Sequence, residues 1–298
     1  MKSARRKHEG ILIRVGEGVG CIHPWEVFGD EPVDVQLREL SQGRFTRLGK
    51  NAFDCARLDA EARHKGTSLF DGLQVPLSHA TVGANEDLEA LVEVGLTKLK
   101  LKAGSNVEAD AERVNTIATR FPEVQLRIDF NCNFRGDQVG DFVELLSEQT
   151  RSQIDFLEDP CNYKDGCWTG LRKLYGVRLA MDIGVEEVDA LYSYAIIKPA
   201  KNKVRSIAEN ARANGRRCVV TSYMDHPIGQ AYAAYQAGML DKKFLGVCDH
   251  AGLMTHGLFE PNAFSEKLGK VQPHWPDIGG AGLGFDELLE SLEWTDLN

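Results

Sequence analysis

From residue 73 onwards, segments that favour β-strand alternate with segments that favour helix. The strand candidates, in order, are LQVPLSHATV, TKLKLKAG, VQLRIDFN, IDFLEDP, VRLAMDIG, AIIKPA, CVVTSY and FLGVCDHAG. Strands separated by helical crossovers predict a parallel sheet. Eight of them over about 190 residues predict an α/β fold closed into a barrel of the triosephosphate isomerase type. A doubly wound open sheet is the structural alternative, but no GxGxxG follows the first strand.

The first 72 residues follow a different pattern. EGILIRVGEGVGCIHPWEVFG contains short apolar strand-like runs broken by glycines, and NAFDCARLDAEARHKG has the composition of a helix that ends at a glycine. We therefore expect a small separate unit over residues 1–72 and a barrel domain over residues 73–265.

Composition excludes several classes of protein. The net charge of −9 argues against a nucleic-acid surface as the main partner. No run approaches the roughly 18 consecutive apolar residues of a membrane span. The basic start, MKSARRKHEG, has no apolar run after it, so we predict no signal peptide. The 7 scattered cysteines include no CxxC pair, which predicts reduced thiols in a cytoplasmic protein.

The segment LTKLKLKAG places Lys98, Lys100 and Lys102 on one face of a strand, because side chains two residues apart point the same way, about 7 Å apart. Two ammonium groups at that spacing repel by about 0.6 kcal/mol in water and about 2.4 kcal/mol at an effective dielectric of 20. On a solvent-exposed edge strand such lysines would only aid solubility. Inside a protein they need anionic partners. We expect Lys98, at the start of the strand, to be structural.

Three consecutive strand candidates each carry a carboxylate near the carboxyl end, where the active site of a parallel barrel lies. They are Asp129 in RIDFN, Glu158 in FLEDP and Asp182 in LAMDIG. Any one of them alone fits a helix N-cap. Three in register predict a site for a hard cation such as Mg²⁺, with room for water and a substrate oxygen. Zinc is disfavoured, since no His or Cys occupies these positions.

Lysines flank these carboxylates on both sides of the predicted barrel mouth. Lys100 and Lys102 end the second strand, and Lys198 lies in IIKPA on the sixth. A lysine crowded by other cations has a lowered pKa, which favours a neutral amine that can accept a proton. The spacing of 16 residues from Asp182 to Lys198 predicts a compact helix between them.

The order KLK, DFN, LEDP, MD and IKP resembles the enolase superfamily, specifically its muconate-lactonizing-enzyme subgroup, over nearly the whole chain. GEGVGCIHPW is similar to the mobile specificity loop of that superfamily's α+β capping domain, and AFDCARLDAEARHKG to its cap helix. The resemblance implies a (β/α)7β barrel over residues 73–265, a capping domain over residues 1–72, and a C-terminal segment, 266–298, that returns to the cap.

The resemblance also implies roles for individual residues. Lys102 matches the acid/base lysine of the KxK motif, and Lys198 matches the lysine on the opposite face of the site. The implied ligands of Mg²⁺, which Mn²⁺ can replace, are Asp129, Glu158 and Asp182. The implied supporting or substrate-binding residues are Lys100, Asn131, Ser222 and Asp225.

Within the subgroup, FLEDPC, IIKPA and VVTSYMDHPIG are most similar to the o-succinylbenzoate synthases of menaquinone biosynthesis. The implied reaction is the syn dehydration of a succinyl-hydroxycyclohexadiene carboxylate. Lys102 would remove the proton α to the carboxylate and then protonate the departing hydroxyl, with Mg²⁺ holding the enediolate and Lys198 remaining protonated. The expected partner is a small carboxylate substrate, and the expected assembly is a monomer or small homo-oligomer.

Three rival functions remain open. An N-acylamino acid racemase would use both lysines as alternate bases. A dipeptide epimerase is disfavoured, because CDHAG has Asp249 but Ala251 where such enzymes usually carry Asp-x-Asp. An inactive barrel scaffold is disfavoured, because none of the expected lysines and carboxylates is missing. One departure from the family is that Ile183 and Gly184 replace the usual Glu-Ser after the third carboxylate, which removes a supporting acid.

Overall fold

A computed structural model describes residues 8–83, 86–187 and 191–297. The basic residues 1–7, on which the signal-peptide prediction rests, lie outside the described residues.

The described chain begins with an antiparallel hairpin of β1 (Ile11–Val15) and β2 (Gly18–Ile22). Two helices follow the hairpin, α1 (Val33–Ser41) and α2 (Arg47–His64). In the part of the chain described here, no helix has both the length and the apolar content that a membrane crossing requires.

In the described part of the chain, seven parallel strands follow, and they pair with one another in sequence order. The strands are β3 (Ala80–Val82), β4 (Lys98–Lys102), β5 (Gln125–Asp129), β6 (Ile154–Glu158), β7 (Leu179–Met181), β8 (Tyr194–Ile197) and β9 (Arg217–Val220). The helices between and after them are α3 (Leu88–Glu93), α4 (Val107–Arg120), α5 (Gly136–Leu145), α6 (Glu148–Gln153), α7 (Asp165–Tyr175), α8 (Val204–Ala213), α9 (Pro227–Lys243), α10 (Ala263–Leu268) and α11 (Asp286–Glu290). The α/β class and the parallel sheet predicted from the alternating pattern are therefore confirmed.

The eighth strand candidate, FLGVCDHAG, forms isolated bridges rather than a continuous strand. Gly252 bridges Thr221 beyond β9, and Ala251 bridges Ser78 before β3. The segment 248–252 therefore joins the last strand of the sheet to the chain that precedes the first one.

One helical segment is divided, and one helix prediction differs from the structure. The segment DQVGDFVELLSEQ forms two helices, α5 and α6, because the Ser147 side chain accepts a hydrogen bond from the Thr150 amide and starts a new helix. The compact helix predicted between Asp182 and Lys198 is absent from the described residues 183–187, which form turns.

The N-terminal hairpin packs directly on α2. A Cβ atom at Gly18 or Gly20 would clash with backbone carbonyl oxygens of α2, so only glycine permits this approach. The fully buried Asp59 of α2 accepts hydrogen bonds from the amides of Val19 (2.8 Å) and Leu283 (2.6 Å). One carboxylate thus joins the hairpin, α2 and the C-terminal segment. A carboxylate this deeply buried requires such partners, since an unpaired buried charge is strongly destabilising.

Candidate active site

A cavity of about 610 Å³ lies at the carboxyl ends of the parallel strands, and residues 27–29 of the N-terminal unit border it. Most of the residues predicted from the sequence line this cavity: Lys100, Lys102, Asp129, Asn131, Asp182, Lys198 and Ser222. The structure therefore brings together side chains from five strand ends that are distant in the sequence.

Strand register aligns the charges at one side of the cavity. Lys102 pairs with Asp129 across β4 and β5, and Asp129 pairs with Glu158 across β5 and β6. Lys102 Nζ lies 2.6 Å from Asp129 Oδ2 and 3.1 Å from Asn131 Oδ1. Lys100 Nζ lies 2.8 Å from Asp129 Oδ2 and 2.7 Å from Glu158. The lysines of β4 are thus paired with carboxylates, which offsets their mutual repulsion.

This pairing reverses the pKa direction expected for a crowded lysine at Lys100. Burial disfavours the charged ammonium, but Asp129 and Glu158 outweigh burial and raise the pKa of Lys100 above its usual value. Burial opposes ionisation of Asp129, but Lys100 and Lys102 lower its pKa. Burial and the nearby Asp129 raise the pKa of Glu158 to about 7. Of the two lysines, Lys102 is the more accessible, with 26% of its side chain exposed against 10% for Lys100.

Lys198 stands on the other side of the cavity, just after β8. Its ammonium forms a short ion pair with Asp182 and lies 5.7 Å from the centroid of the Tyr223 ring. Burial opposes the charged form, but the Asp182 carboxylate raises the pKa of Lys198. Lys198 is therefore held as a cation that faces the cavity.

The carboxylates form a compact cluster. Within the described residues, ligand atoms of Glu158, Asp159 and Asp182 all lie within 4.8 Å of one another. Asp159 accepts hydrogen bonds from the amides of Asp182 and Ile183, both at 3.1 Å. Burial, Asp182 and Glu158 raise the pKa of Asp159 well above its usual value, since the crowded anions repel one another. A hard divalent cation prefers carboxylate oxygens and would relieve this repulsion, so the donor set fits Mg²⁺.

Asp159 was not selected from the sequence, although it follows Glu158 directly in FLEDP. It supplies an acid beside Ile183 and Gly184, where the family's usual Glu is replaced. Asp129 lies outside the 4.8 Å cluster, and its Oδ2 forms ion pairs with both Lys100 and Lys102.

The backbone is strained where the acidic strands end. Asn131, Cys132 and Asp159 have φ values of 46°, 57° and 41°. Such left-handed conformations are uncommon for residues other than glycine, and they concentrate at functional sites. They turn the chain sharply after β5 and β6, which helps to place Asn131 beside Lys102 and the Asp159 carboxylate beside Asp182.

Ser222 and Asp225 have different positions. Ser222 lines the cavity, and its Oγ lies 2.8 Å from Thr255 Oγ1. Asp225 lines a second cavity of about 810 Å³, with His23 and His226 among its neighbours. Burial raises the pKa of Asp225 to about 7. The structure therefore brings Ser222, but not Asp225, to the cavity that holds the lysines.

Lys98 belongs to a buried ion network below the cavity. Its Nζ lies 2.8 Å from Asp155 Oδ2 and 2.9 Å from Asp249 Oδ1. The fully buried Arg127 contacts the same two carboxylates, at 2.9 and 3.0 Å. These contacts agree with the structural role expected for Lys98.

Replacing Lys98 with alanine is expected to destabilise the fold by about 3 kcal/mol, because it leaves buried carboxylates with fewer cationic partners. The reaction rate of the remaining folded protein should stay nearly unchanged. The measurement is urea unfolding, with Lys50→Ala as a matched control. Lys50 pairs with Asp54 on the surface, where 54% and 46% of the two side chains are exposed, so its loss should change stability little. Equal stability of the two variants would contradict the prediction.

The segment 25–30, which borders the cavity, is held by a latch formed by Trp25, Asp30, Lys201 and Tyr223. Tyr223 Oη donates to Asp30 Oδ2 at 2.7 Å, and the Trp25 amide donates to the same oxygen at 2.9 Å. Trp25 Nε1 donates to the Tyr223 carbonyl at 2.9 Å, and Lys201 lies 3.2 Å from Asp30 Oδ1. The latch connects the N-terminal unit to the end of β9.

The Tyr223→Phe variant should loosen this segment, because it removes a hydrogen bond to a charged group. We expect chymotrypsin to cleave after the half-exposed Phe28 about tenfold faster, with a similar melting temperature. Tyr175→Phe is the control, since Tyr175 also donates to a carboxylate, that of Glu144, on the surface. Unchanged cleavage in Tyr223→Phe would show that the hydroxyl does not hold the segment.

The chain is similar in sequence to proteins that are already known. Residues 1–62 match the N-terminal domain of O-succinylbenzoate synthase, and residues 84–194 match the enolase C-terminal domain-like family. An o-succinylbenzoate synthase of Bdellovibrio bacteriovorus is 29% identical over 311 residues, which cover 99% of this chain and 93% of the relative. An o-succinylbenzoate synthase of Klebsiella pneumoniae is 26% identical and covers 86% of this chain and 87% of the relative.

Solved structures share the fold. A dipeptide epimerase from Enterococcus faecalis superposes with a TM-score of 0.74 at 19% identity, and covers 92% of this chain and 93% of that one. The muconate lactonizing enzyme from Pseudomonas putida has a TM-score of 0.67 at 17% identity, with 96% and 98% covered. In fold the chain resembles these two enzymes, and over residues 84–194 its sequence is similar to the enolase C-terminal domain-like family. The match over residues 1–62 and the two relatives that align with most of the chain make it similar to the o-succinylbenzoate synthases.

Proposed function

We propose that this chain is a Mg²⁺-dependent o-succinylbenzoate synthase, a carbon–oxygen lyase of menaquinone biosynthesis. The observation that carries the proposal is the placement of Lys102 and Lys198 on opposite sides of one cavity, with carboxylates between them. The relatives from two bacteria support this particular reaction, because both bear the name of this enzyme and align with most of the chain.

The reaction removes water from a succinyl-hydroxycyclohexadiene carboxylate. Lys102, as the free amine, takes the proton from the carbon α to the carboxylate and then gives it to the hydroxyl oxygen that leaves the ring. The C–H and C–O bonds break, the ring becomes aromatic, and Lys102 returns to its starting state. Lys198 remains a cation and stabilises the negative charge that develops on the substrate. Asn131, 3.1 Å from Lys102 Nζ, orients the amine, and Ser222 offers a hydroxyl to the substrate.

Bound Mg²⁺, or Mn²⁺ in its place, would supply electrostatic stabilisation of the substrate carboxylate. The proposed ligands are Asp129, Glu158 and Asp182, and Lys100 supports the first two of them. Asp159 accepts a hydrogen bond from the backbone amide of Asp182 and so positions that ligand.

We also infer that segment 248–252 closes the seven-stranded sheet into a (β/α)7β barrel. Its bridges to β9 and to the chain before β3 support this inference. Residues 73–265 would form the barrel domain, and residues 1–72 with segment 266–298 the capping domain. The hydrogen bonds of Asp59 to Val19 and Leu283 support that division. The free thiols of all seven cysteines support a cytoplasmic location.

An N-acylamino acid racemase is the second candidate, because the same two lysines could serve as alternate bases. A dipeptide epimerase has less support, since Asp249 is 5% exposed and paired with Lys98 and Arg127. Asp249 is thus occupied within the protein and does not offer a partner to a substrate ammonium group.

The test is a direct assay with the cyclohexadiene acid and Mg²⁺, followed by the absorbance of the aromatic product. Fast dehydration is expected. In parallel, N-succinyl amino acids are incubated with the protein in heavy water, and little exchange at Cα is expected. Rapid exchange from both enantiomers without any dehydration would assign the protein as a racemase instead.

A further inference from the structure

His79 is a buried histidine at the floor of the active-site cavity. It precedes β3, is 3% exposed, and lines the cavity together with Thr81, Lys100, Thr221 and Gly252. The mechanism described above gives it no role. A polar ring in this position can act on a substrate only through the nitrogen that faces the cavity.

The buried ion network fixes which nitrogen that is. Arg127 Nη1 lies 2.7 Å from His79 Nδ1. A guanidinium is always charged and can only donate, so Nδ1 must accept and carries no proton. Burial and the charges of Arg127 and Lys100 hold the pKa of His79 well below its usual range. His79 is therefore a neutral imidazole with its single proton on Nε2.

The Nε2 edge of the ring lies against Gly252, which lines the cavity. A Cβ atom at position 252 would lie 2.7 Å from both Nε2 and Cε1 of His79, so Gly252 leaves the room that the ring edge needs. No protein partner of Nε2 is observed within the described ranges. Thr221 Oγ1, on the adjacent wall, is buried and likewise has no partner there. Thr221 Oγ1 is thus an unsatisfied buried polar atom beside His79, and buried polar groups normally find a partner.

We propose that His79 binds the substrate, donating a hydrogen bond from Nε2 to a carboxylate oxygen at the floor of the cavity. The inference rests on the proposed function, which supplies the carboxylate. A neutral donor suits this position, because the cavity already holds several lysines and a further cation would be repelled by them. Arg127 acts on the substrate only through His79, as a positioning residue that fixes the tautomer.

Two substitutions of His79 distinguish the role of Nδ1 from the role of Nε2. In His79→Asn the amide oxygen can still accept from Arg127, but the shorter side chain cannot reach the position of Nε2. In His79→Gln the amide nitrogen can reach that position and donate. We expect KM and the Kd of the product, o-succinylbenzoate, to rise about 10- to 100-fold in His79→Asn with a smaller change in kcat, and to change less than about threefold in His79→Gln.

His250→Asn is the matched control. His250 contacts Asp249 of the same network but is not among the residues that line the cavity, so KM should not change. Long-range ¹H–¹⁵N NMR spectra of the imidazole rings, with the His79 signal assigned from its loss in His79→Gln, should show the Nε2–H tautomer.

Each outcome decides the inference. An active wild type whose KM and product Kd are unchanged in His79→Asn would overturn the role of His79 alone, as would an Nδ1–H or doubly protonated ring. A wild type that neither dehydrates the cyclohexadiene acid nor binds its product would overturn the proposed function, and the role of His79 with it. A selective rise in KM for His79→Asn, rescued by His79→Gln, would support the inference.

Discussion

The Lys102→Ala variant is expected to lose about 10⁴-fold in kcat, at the upper end of what one positioned acid/base group contributes, because Lys102 would serve as both base and acid. Its melting temperature should change little, since Lys100 remains bound to the same Asp129 oxygen. The measurement is kcat for dehydration with saturating Mg²⁺, together with thermal melts.

A second variant, Lys102→Arg, distinguishes proton transfer by Lys102 from an effect of its charge alone. Arginine keeps the cation and can still bind Asp129, but it does not deprotonate in proteins. It should therefore be as inactive as the alanine variant if Lys102 transfers protons. Substantial activity in Lys102→Arg would mean that the residue acts by charge alone, and near-normal kcat in Lys102→Ala would remove the mechanism altogether.

Asp182→Asn is expected to abolish tight binding of Mn²⁺, followed by electron paramagnetic resonance, and to lower kcat by about 10³-fold. The reason is that it removes an anionic ligand and with it the electrostatic stabilisation that the cation provides. A chelator should likewise abolish activity in the wild type, and Mg²⁺ should restore it. Full activity of the metal-free protein would contradict the proposed metal site.

Asp159→Asn is the control that decides between two ligand sets. Asp159 accepts hydrogen bonds from the backbone amides of Asp182 and Ile183. If that is its whole role, the asparagine variant keeps one acceptor oxygen, and its affinity for Mn²⁺ should fall by only about tenfold. If Asp159 itself ligates the cation, as its place in the 4.8 Å cluster also permits, the variant should behave like Asp182→Asn. The same comparison with Asp129→Asn tests the ligand predicted from the sequence.

The alternation of strands and helices predicted the class of fold, because a parallel sheet leaves a strong pattern: apolar runs, helical crossovers and polar residues where each strand ends. The same pattern could not predict how residues 248–252 pair. That segment bridges neighbours on two sides through single residues, and such pairing depends on where the rest of the sheet places its edges.

For a related reason, the sequence could not predict which carboxylates contact the lysines. Alternation shows that Lys98, Lys100 and Lys102 share a face, but not which carboxylates meet them. Lys98 pairs with Asp155 and Asp249, which are 57 and 151 residues away. Their contact depends on strand order and register in the folded sheet. Likewise, the pKa of Lys100 is raised rather than lowered because the paired carboxylates of Asp129 and Glu158 outweigh the effect of burial.

The way in which segment 248–252 joins the two edges of the sheet has a consequence for the protein during its synthesis. Strands β3 to β9 pair in the order in which a ribosome delivers them, but Ser78 must wait for Ala251, 173 residues later. At about 5–20 residues per second, that wait lasts roughly 10–35 s. During this time the edge before β3 stays open to pairing with other nascent chains. Slow translation downstream of β3 would therefore lengthen the period of greatest aggregation risk.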